Sequence, residues 1–141
     1  MRLSAVAERI TDSARDLGSP FELRMKSVGT RSMPVQAGEA IYSAAVQAMV
    51  NSLQHAGETG VTRWISVRAV NPGGMEVVVG DTGVGFSTAG GPSERLGVRV
   101  SIVERVANAG GRATLKSAPG EGTVVTIRWP YAQPASSGGT K

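Results

Sequence analysis

Asp81-Thr82-Gly83-Val84-Gly85-Phe86 follows the apolar run Met75-Glu76-Val77-Val78-Val79, a pattern in which a β-strand delivers one carboxylate into a loop with two glycines. A carboxylate held at a strand end can accept a hydrogen bond from an exocyclic amine, and residues without Cβ let a flat ligand lie against the backbone. Two familiar phosphate loops do not fit. A P-loop needs Lys and then Ser or Thr after its glycines. A dinucleotide fingerprint needs a third glycine opening a helix, where this chain has Thr88 and then Ala89-Gly90-Gly91-Pro92. Gly and Asp also dominate ordinary turns for conformational reasons alone. Taken by itself the stretch is a turn or a nucleotide pocket, and other segments have to decide.

A second group of polar residues lies upstream. From Val35 to about Ala56 the chain is alanine-rich and free of Pro, with Gly38 only near its start, which predicts a helix. Its core stripe reads Ile41, Ala45, Met49 and Leu53. On a helix of about 3.6 residues per turn, Gln47 and Asn51 fall roughly opposite that stripe, and Gln54 and His55 continue the polar face. Water alone is met more cheaply by Lys and Glu, so amides and an imidazole on one face point to binding chemistry.

The elements that must position these residues follow from periodicity. Leu3, Val6, Ala7, Ile10, Ala14 and Leu17 recur at helical spacing up to Gly18-Ser19-Pro20. Phe21, Leu23 and Met25 alternate with charged residues as a strand. Ile65, Val67 and Ala69 alternate into Asn71-Pro72-Gly73-Gly74 and then Met75 to Val79, a hairpin ending at Asp81. After a flexible stretch from Ser87 to Ser93, Val98, Ile102 and Val106 predict a helix from about Gly97 to Gly110-Gly111. Two strands, Arg112 to Ser117 and Thr123 to Trp129, flank Pro119-Gly120-Glu121-Gly122. The order α, β, α, β, β, α, β, β predicts an α+β fold, a two-layer α/β sandwich whose mixed sheet is covered on one face by helices. Residues 1–131 form one domain on this reading, and Ala132 to Lys141, rich in Ser, Gly and Pro, form a disordered tail.

Composition narrows the function. The 141 residues include no cysteine, which excludes disulfides, thiolate metal sites and a cysteine nucleophile and makes the cytoplasm the default compartment. The N-terminus is broken by charges and no apolar run reaches membrane-spanning length, so no membrane contact is expected. A net charge of +4 invites a nucleic-acid partner, but the arginines are scattered and aromatics few, so none is expected. A mild positive field favours an anionic small ligand instead.

In order, the chain thus carries a helix with Asn51 and His55-Ala56, then Asp81-Thr82-Gly83-Val84-Gly85-Phe86, then Leu96-Gly97 before a helix, then Ser117-Ala118-Pro119-Gly120-Glu121-Gly122-Thr123. Over roughly residues 35 to 130 this resembles the ATP-binding domain of sensor histidine kinases, within the superfamily of DNA gyrase, Hsp90 and MutL. The likeness is greatest to nitrate-sensor-type or actinobacterial kinases. The resemblance implies a Bergerat-type fold, ATP and Mg²⁺ as ligands, and γ-phosphoryl transfer to a histidine on a separate dimerisation domain that in turn serves a response regulator. It implies Asn51 as the Mg²⁺ ligand, Asp81 as acceptor for the adenine amine, and Gly83 and Gly85 as room for base and ribose. Leu96 and Gly97 become the phosphate-covering glycine box, Thr123 the threonine near the adenine edge, and His55 a ring close to the nucleotide.

Three positions depart from the resembled pattern. Gln47 stands where that family has a glutamate, and an amide cannot take a proton from an attacking water, a loss typically worth about 10²–10⁴-fold. Transfer to a neutral imidazole suffers less, because that ring is already a nucleophile. Gln54 replaces a Lys or Arg, whose charge Arg99 can supply, and Arg95 replaces the first glycine of the second box. His55 is the only histidine, so the chain has no phosphoacceptor of its own and is either the catalytic domain of a larger kinase or a free-standing relative. A nucleotide-binding regulatory module resembling anti-sigma-factor kinases, with little or no catalysis, is the alternative.

Overall fold

The computed structural model describes residues 1–17, 21–55, 57, 60–70, 73–85 and 93–131, without the side chains of His55 and residues 93–99. The elements are α1 (Leu3–Asp16), β1 (Glu22–Met25), α2 (Val35–His55), β2 (Arg63–Val70), β3 (Gly74–Asp81), α3 (Ser93–Asn108), β4 (Arg112–Ser117) and β5 (Thr123–Trp129). The strands form one sheet in the order β1-β2-β3-β5-β4. β1 runs parallel to β2, and the other pairs are antiparallel. The connection from β1 to β2 contains α2, the kind of long crossover a parallel pair requires, whereas β2–β3 and β4–β5 are hairpins.

Register explains the core. Leu23, Ile65, Val79, Val125 and Leu115 lie in one row across all five strands, and Met25, Val67, Val77, Ile127 and Ala113 in another. These rows alternate onto the face that the helices cover, where they join Leu3, Val6 and Ile10 of α1, Ile41, Ala45 and Met49 of α2, and Ile102 and Val106 of α3. Side chains such as Ile41, Met49 and Ile65 are fully buried, each contributing about 1.5–3 kcal/mol by leaving water. α1 is held to α2 by Arg9, which pairs with Glu39 at 2.7 Å and stacks on Tyr42, and by Ser13 Oγ bonded to the Tyr42 hydroxyl at 2.6 Å.

The α+β two-layer architecture and the element order agree with the sequence, and three details differ. α3 begins at Ser93, not near Gly97, because the polar residues before Val98 fill a first helical turn that carries no apolar period to reveal it. The buried face of α2 comprises Ala37, Ile41, Ala44, Ala45, Ala48, Met49 and Ser52 and extends to Asn51, while Leu53 is only half-buried. Four small alanines let α2 sit close to the sheet, and the buried face is turned toward the side that carries Asn51. Met25, expected to be buried, is exposed because β1 is an edge strand. The hairpin tip Asn71-Pro72, the stretch from Ser87 to Pro92 and the tail from Ala132 lie outside the described residues.

On the opposite face of the sheet, Arg68, Glu76 and Arg128 lie side by side in register, with Glu76 bonded to Arg68 at 2.8 Å and to Arg128 at 2.7 Å. Burial alone would raise the Glu76 carboxyl, but the hydrogen bonds from Arg128 and Arg68 outweigh it and hold the carboxyl below its ordinary value of 4.5. The contribution is therefore complete above about pH 4.5 and is lost as pH falls through the lower folded value. Glu76→Gln is expected to cost about 1 kcal/mol at neutral pH, since both arginines are half exposed. Urea midpoints followed from about pH 7 to about pH 3 should show the difference between Glu76→Gln and wild type shrinking with acid.

Candidate functional site

One row beyond the apolar rows, on the same helix-facing side, register aligns Arg63, Asp81, Thr123 and Ser117. The sheet that supplies the core thus ends in a polar row, and Asp81 is its centre. Its carboxylate is buried, with 4% exposure. Oδ2 accepts a hydrogen bond from Ser52 Oγ of α2 at 2.8 Å, and Oδ1 accepts one from the Gly83 N–H at 2.8 Å. Each carboxylate oxygen has further lone-pair capacity for an exocyclic amine.

Ser52 Oγ also accepts a bond from Arg63 Nε at 3.0 Å. Since the guanidinium can only donate, the serine proton is directed at Asp81. Arg63 Nη2 then binds the Ser52 carbonyl at 3.2 Å and the Gly57 carbonyl at 2.9 Å, satisfying carbonyls at the end of α2 that have no helical partner. Arg63 is 9% exposed, so a positive charge lies one hydroxyl away from the buried carboxylate. Neither Ser52 nor Arg63 stands out in the sequence as a site residue. The signal was present, since Arg63 shares the inward parity of Ile65 and Val67.

Asn51, predicted to lie opposite the core stripe, is instead buried to 9% exposure. Among the described residues its Oδ1 is a buried polar atom without a hydrogen-bond partner, a condition that costs free energy unless a ligand meets it. One turn earlier, Gln47 Oε1 accepts a bond from Arg105 Nη1 of α3 at 3.0 Å. A shallow groove between the same helices brings Gln36 and Ala40 beside Asn108 and Ala109, so α3 runs antiparallel to α2. The start of α3 therefore points to the end of α2 that bears Asn51, and the N–H groups of a first turn have no partner within their own helix.

Gly85 has φ +64°, and a Cβ there would fall on the Ala118 carbonyl. Its bare side is thus turned to protein backbone, which corrects the expectation that this glycine clears room for a base. Gly122, at φ +78°, would likewise place a Cβ on the Asp81 carbonyl, and the Gly120 N–H binds the Val84 carbonyl at 2.7 Å. Thr123 is buried and its Oγ1 lies 2.8 Å from Ser117 Oγ, which also bonds the Gly122 carbonyl. The structure thus sets Asn51, Asp81, Gly83, Gly85 and Thr123 around the α2–β3 junction, with Gln47 one helical turn away on the seam between α2 and α3. Leu96, Gly97 and Arg99 lie within α3 and not before it. Their side chains, with those of His55, Gln54's neighbour, fall outside the described ones.

The family model for histidine kinase-, DNA gyrase B- and HSP90-like ATPases matches residues 37–133. The chain belongs to this family. The ATPase domain is also 36% identical over 92 residues to an uncharacterized sensor-like histidine kinase from Chloroflexus aurantiacus, covering 62% of this chain and only 15% of that protein. In fold it is similar to the histidine kinase domain of the blue-light activated histidine kinase EL346 from Erythrobacter litoralis, with TM-score 0.65, 21% identity, and 90% of this chain and 63% of that one covered. It is similar too to the ATP-binding domain of PrrB from Mycobacterium tuberculosis, with TM-score 0.63, 18% identity, and 94% and 96% covered.

The Ser52 hydroxyl gives the ATPase domain a test of its site architecture. Ser52→Ala leaves Arg63 Nε and Asp81 Oδ2 each without this partner and should destabilise the fold by about 1–3 kcal/mol. Chemical denaturation would read this as a lowered midpoint at unchanged slope.

Proposed function

We propose that this ATPase domain is the phosphoryl-donating domain of a sensor histidine kinase, which binds Mg·ATP and donates the γ-phosphoryl group to a histidine on a separate dimerisation domain. The observation that carries this reading is the pairing of two buried oxygen acceptors with unused capacity at one end of the fold. Asp81 offers buried acceptor capacity to a base amine, and one residue before its partner Ser52 stands the unpartnered Oδ1 of Asn51. Adenine carries an exocyclic amine that meets the first, and guanine lacks it at the corresponding position.

The Asn51 oxygen fits a hard cation, which takes oxygen ligands. Among the described residues no group of three or more His, Cys, Asp or Glu could hold a metal, so Asn51 would hold the ion together with the nucleotide's phosphates. Bound there, Mg²⁺ would neutralise phosphate charge. The chain's own contribution is positioning. Asp81 fixes the base, the rigid sheet row fixes Asp81, and the first turn of α3, through Leu96 and Gly97, offers N–H groups to anionic oxygens. An acceptor imidazole nitrogen attacks the γ-phosphorus, the bond from that phosphorus to the β,γ-bridging oxygen breaks, ADP leaves, and the imidazole proton passes to a group on the acceptor domain. Gln47, an amide bonded to Arg105, has no capacity to take a proton from water, which favours transfer over hydrolysis. Thr123 completes the base edge.

Two measurements test this. Asp81→Asn replaces an acceptor oxygen by a donor and should weaken adenine-nucleotide binding about 10–100-fold by calorimetry, with the fold retained. Incubating the domain with labelled ATP and a separately supplied acceptor-histidine domain should place label on the acceptor. Nucleotide binding with no transfer to any cognate acceptor would favour a regulatory nucleotide-binding module instead.

A further inference from the structure

Arg105 is a half-buried cation on the seam between α2 and α3 whose partners among the described residues are neutral. Its Nη1 donates to Gln47 Oε1 at 3.0 Å and its Nη2 to Ser101 Oγ at 3.4 Å. The ion pairs among the described residues are Arg9–Glu39, Arg15–Asp12, Arg24–Glu22, Arg68–Glu76 and Arg128–Glu76, and none includes Arg105. Removing a guanidinium partly from water without a counter-charge is costly, and here an amide occupies the position where a carboxylate would compensate it.

The side chain also has a direction. By reaching Ser101, it climbs one turn toward the start of α3, and because the helices are antiparallel this is toward the Asn51 end of α2. Gln47 lies four residues from Asn51, about 6 Å along the helix axis. The guanidinium is therefore bonded to a residue one helical turn from Asn51, whose oxygen has no partner among the described residues.

We propose that Arg105 is a specificity-determining residue that recognises the terminal phosphate of a nucleoside triphosphate, and that Gln47 serves it by orienting the guanidinium without neutralising it. This rests on the nucleotide reading given above. Asn51 addresses the part of the ligand that ADP and ATP share, and Arg105 addresses the part that only ATP carries. A bidentate guanidinium suits phosphate oxygens geometrically as well as electrostatically.

The experiment measures Mg·ATP and Mg·ADP affinity by calorimetry for wild type, Arg105→Ala, Arg105→Lys and Gln47→Glu, with thermal unfolding of each. Arg105→Ala should lower ATP affinity about 10–100-fold and leave ADP affinity nearly unchanged. Arg105→Lys should recover part of the loss. Gln47→Glu, which sets a carboxylate against Arg105, should erode the preference for ATP without loss of ADP binding. Equal loss of both nucleotides in Arg105→Ala would make the residue structural and overturn the proposal. So would an unchanged ATP-to-ADP ratio, including one accompanied by weaker transfer to an acceptor domain, which would assign Arg105 to a partner's carboxylate. Wild type binding neither nucleotide would overturn this proposal and the nucleotide reading together, whereas ADP binding with no Arg105 effect would overturn this proposal alone.

Discussion

The Ser52 hydroxyl, held between the Arg63 guanidinium and the Asp81 carboxylate, is the contact on which the arrangement of the site depends. A carboxylate so deeply buried is tolerable only with donors on its oxygens and a positive charge near by. Ser52 supplies one donor and transmits the other requirement to Arg63. Arg63 at the same time binds carbonyls at the end of α2. One cation thus fixes the carboxylate of β3 and the end of the helix that carries Asn51. The distance between the two ends of the ligand site is thereby set by secondary structure rather than by a loop.

This arrangement divides the work between the two layers. The sheet holds a rigid buried carboxylate, the proposed acceptor for a base, built as the next row of the same register that makes the hydrophobic core. On the proposed reading the helices carry the phosphate end: an amide oxygen suited to a cation, a guanidinium with no carboxylate partner among the described residues, and the first-turn N–H groups of α3. Membership of the histidine kinase-, DNA gyrase B- and HSP90-like ATPases accords with that division. The neutral side chain at position 47 is where the chain departs most from what it resembles, and its consequence is electrostatic: the seam between α2 and α3 retains a positive charge that a glutamate would cancel.

The sequence made the fold legible wherever periodicity was strong. The alternation of Ile65, Val67, Val77 and Val79, the hairpin ending at Asp81, and the bounds of β4 and β5 follow from side-chain period and turn residues. The start of α3 was not legible, because Ser93 to Gly97 present no apolar stripe. The face of α2 was misjudged because alanines carry little hydrophobic signal although Ala37, Ala44 and Ala48 are buried. Of the candidate site, the place of Asp81 at the end of β3 could be read from type and spacing, whereas Asn51, expected opposite the core stripe of α2, is buried. Arg63 and Ser52 could not be assigned, because their roles arise from contacts between elements distant in sequence. Gly85 shows the opposite error, since its conformational freedom is used by a neighbouring turn and not by a ligand.

That last contact links two loops. Gly85 lies against Ala118 and Gly122 against Asp81, so neither position has space for a side chain, and the Gly120 N–H bonds the Val84 carbonyl across the two turns. The residues after β3 and the turn between β4 and β5 therefore make up one cooperative unit of local unfolding. Opening either turn exposes both, and the order of the base-facing end of the site is inherited from a turn some forty residues away in the chain.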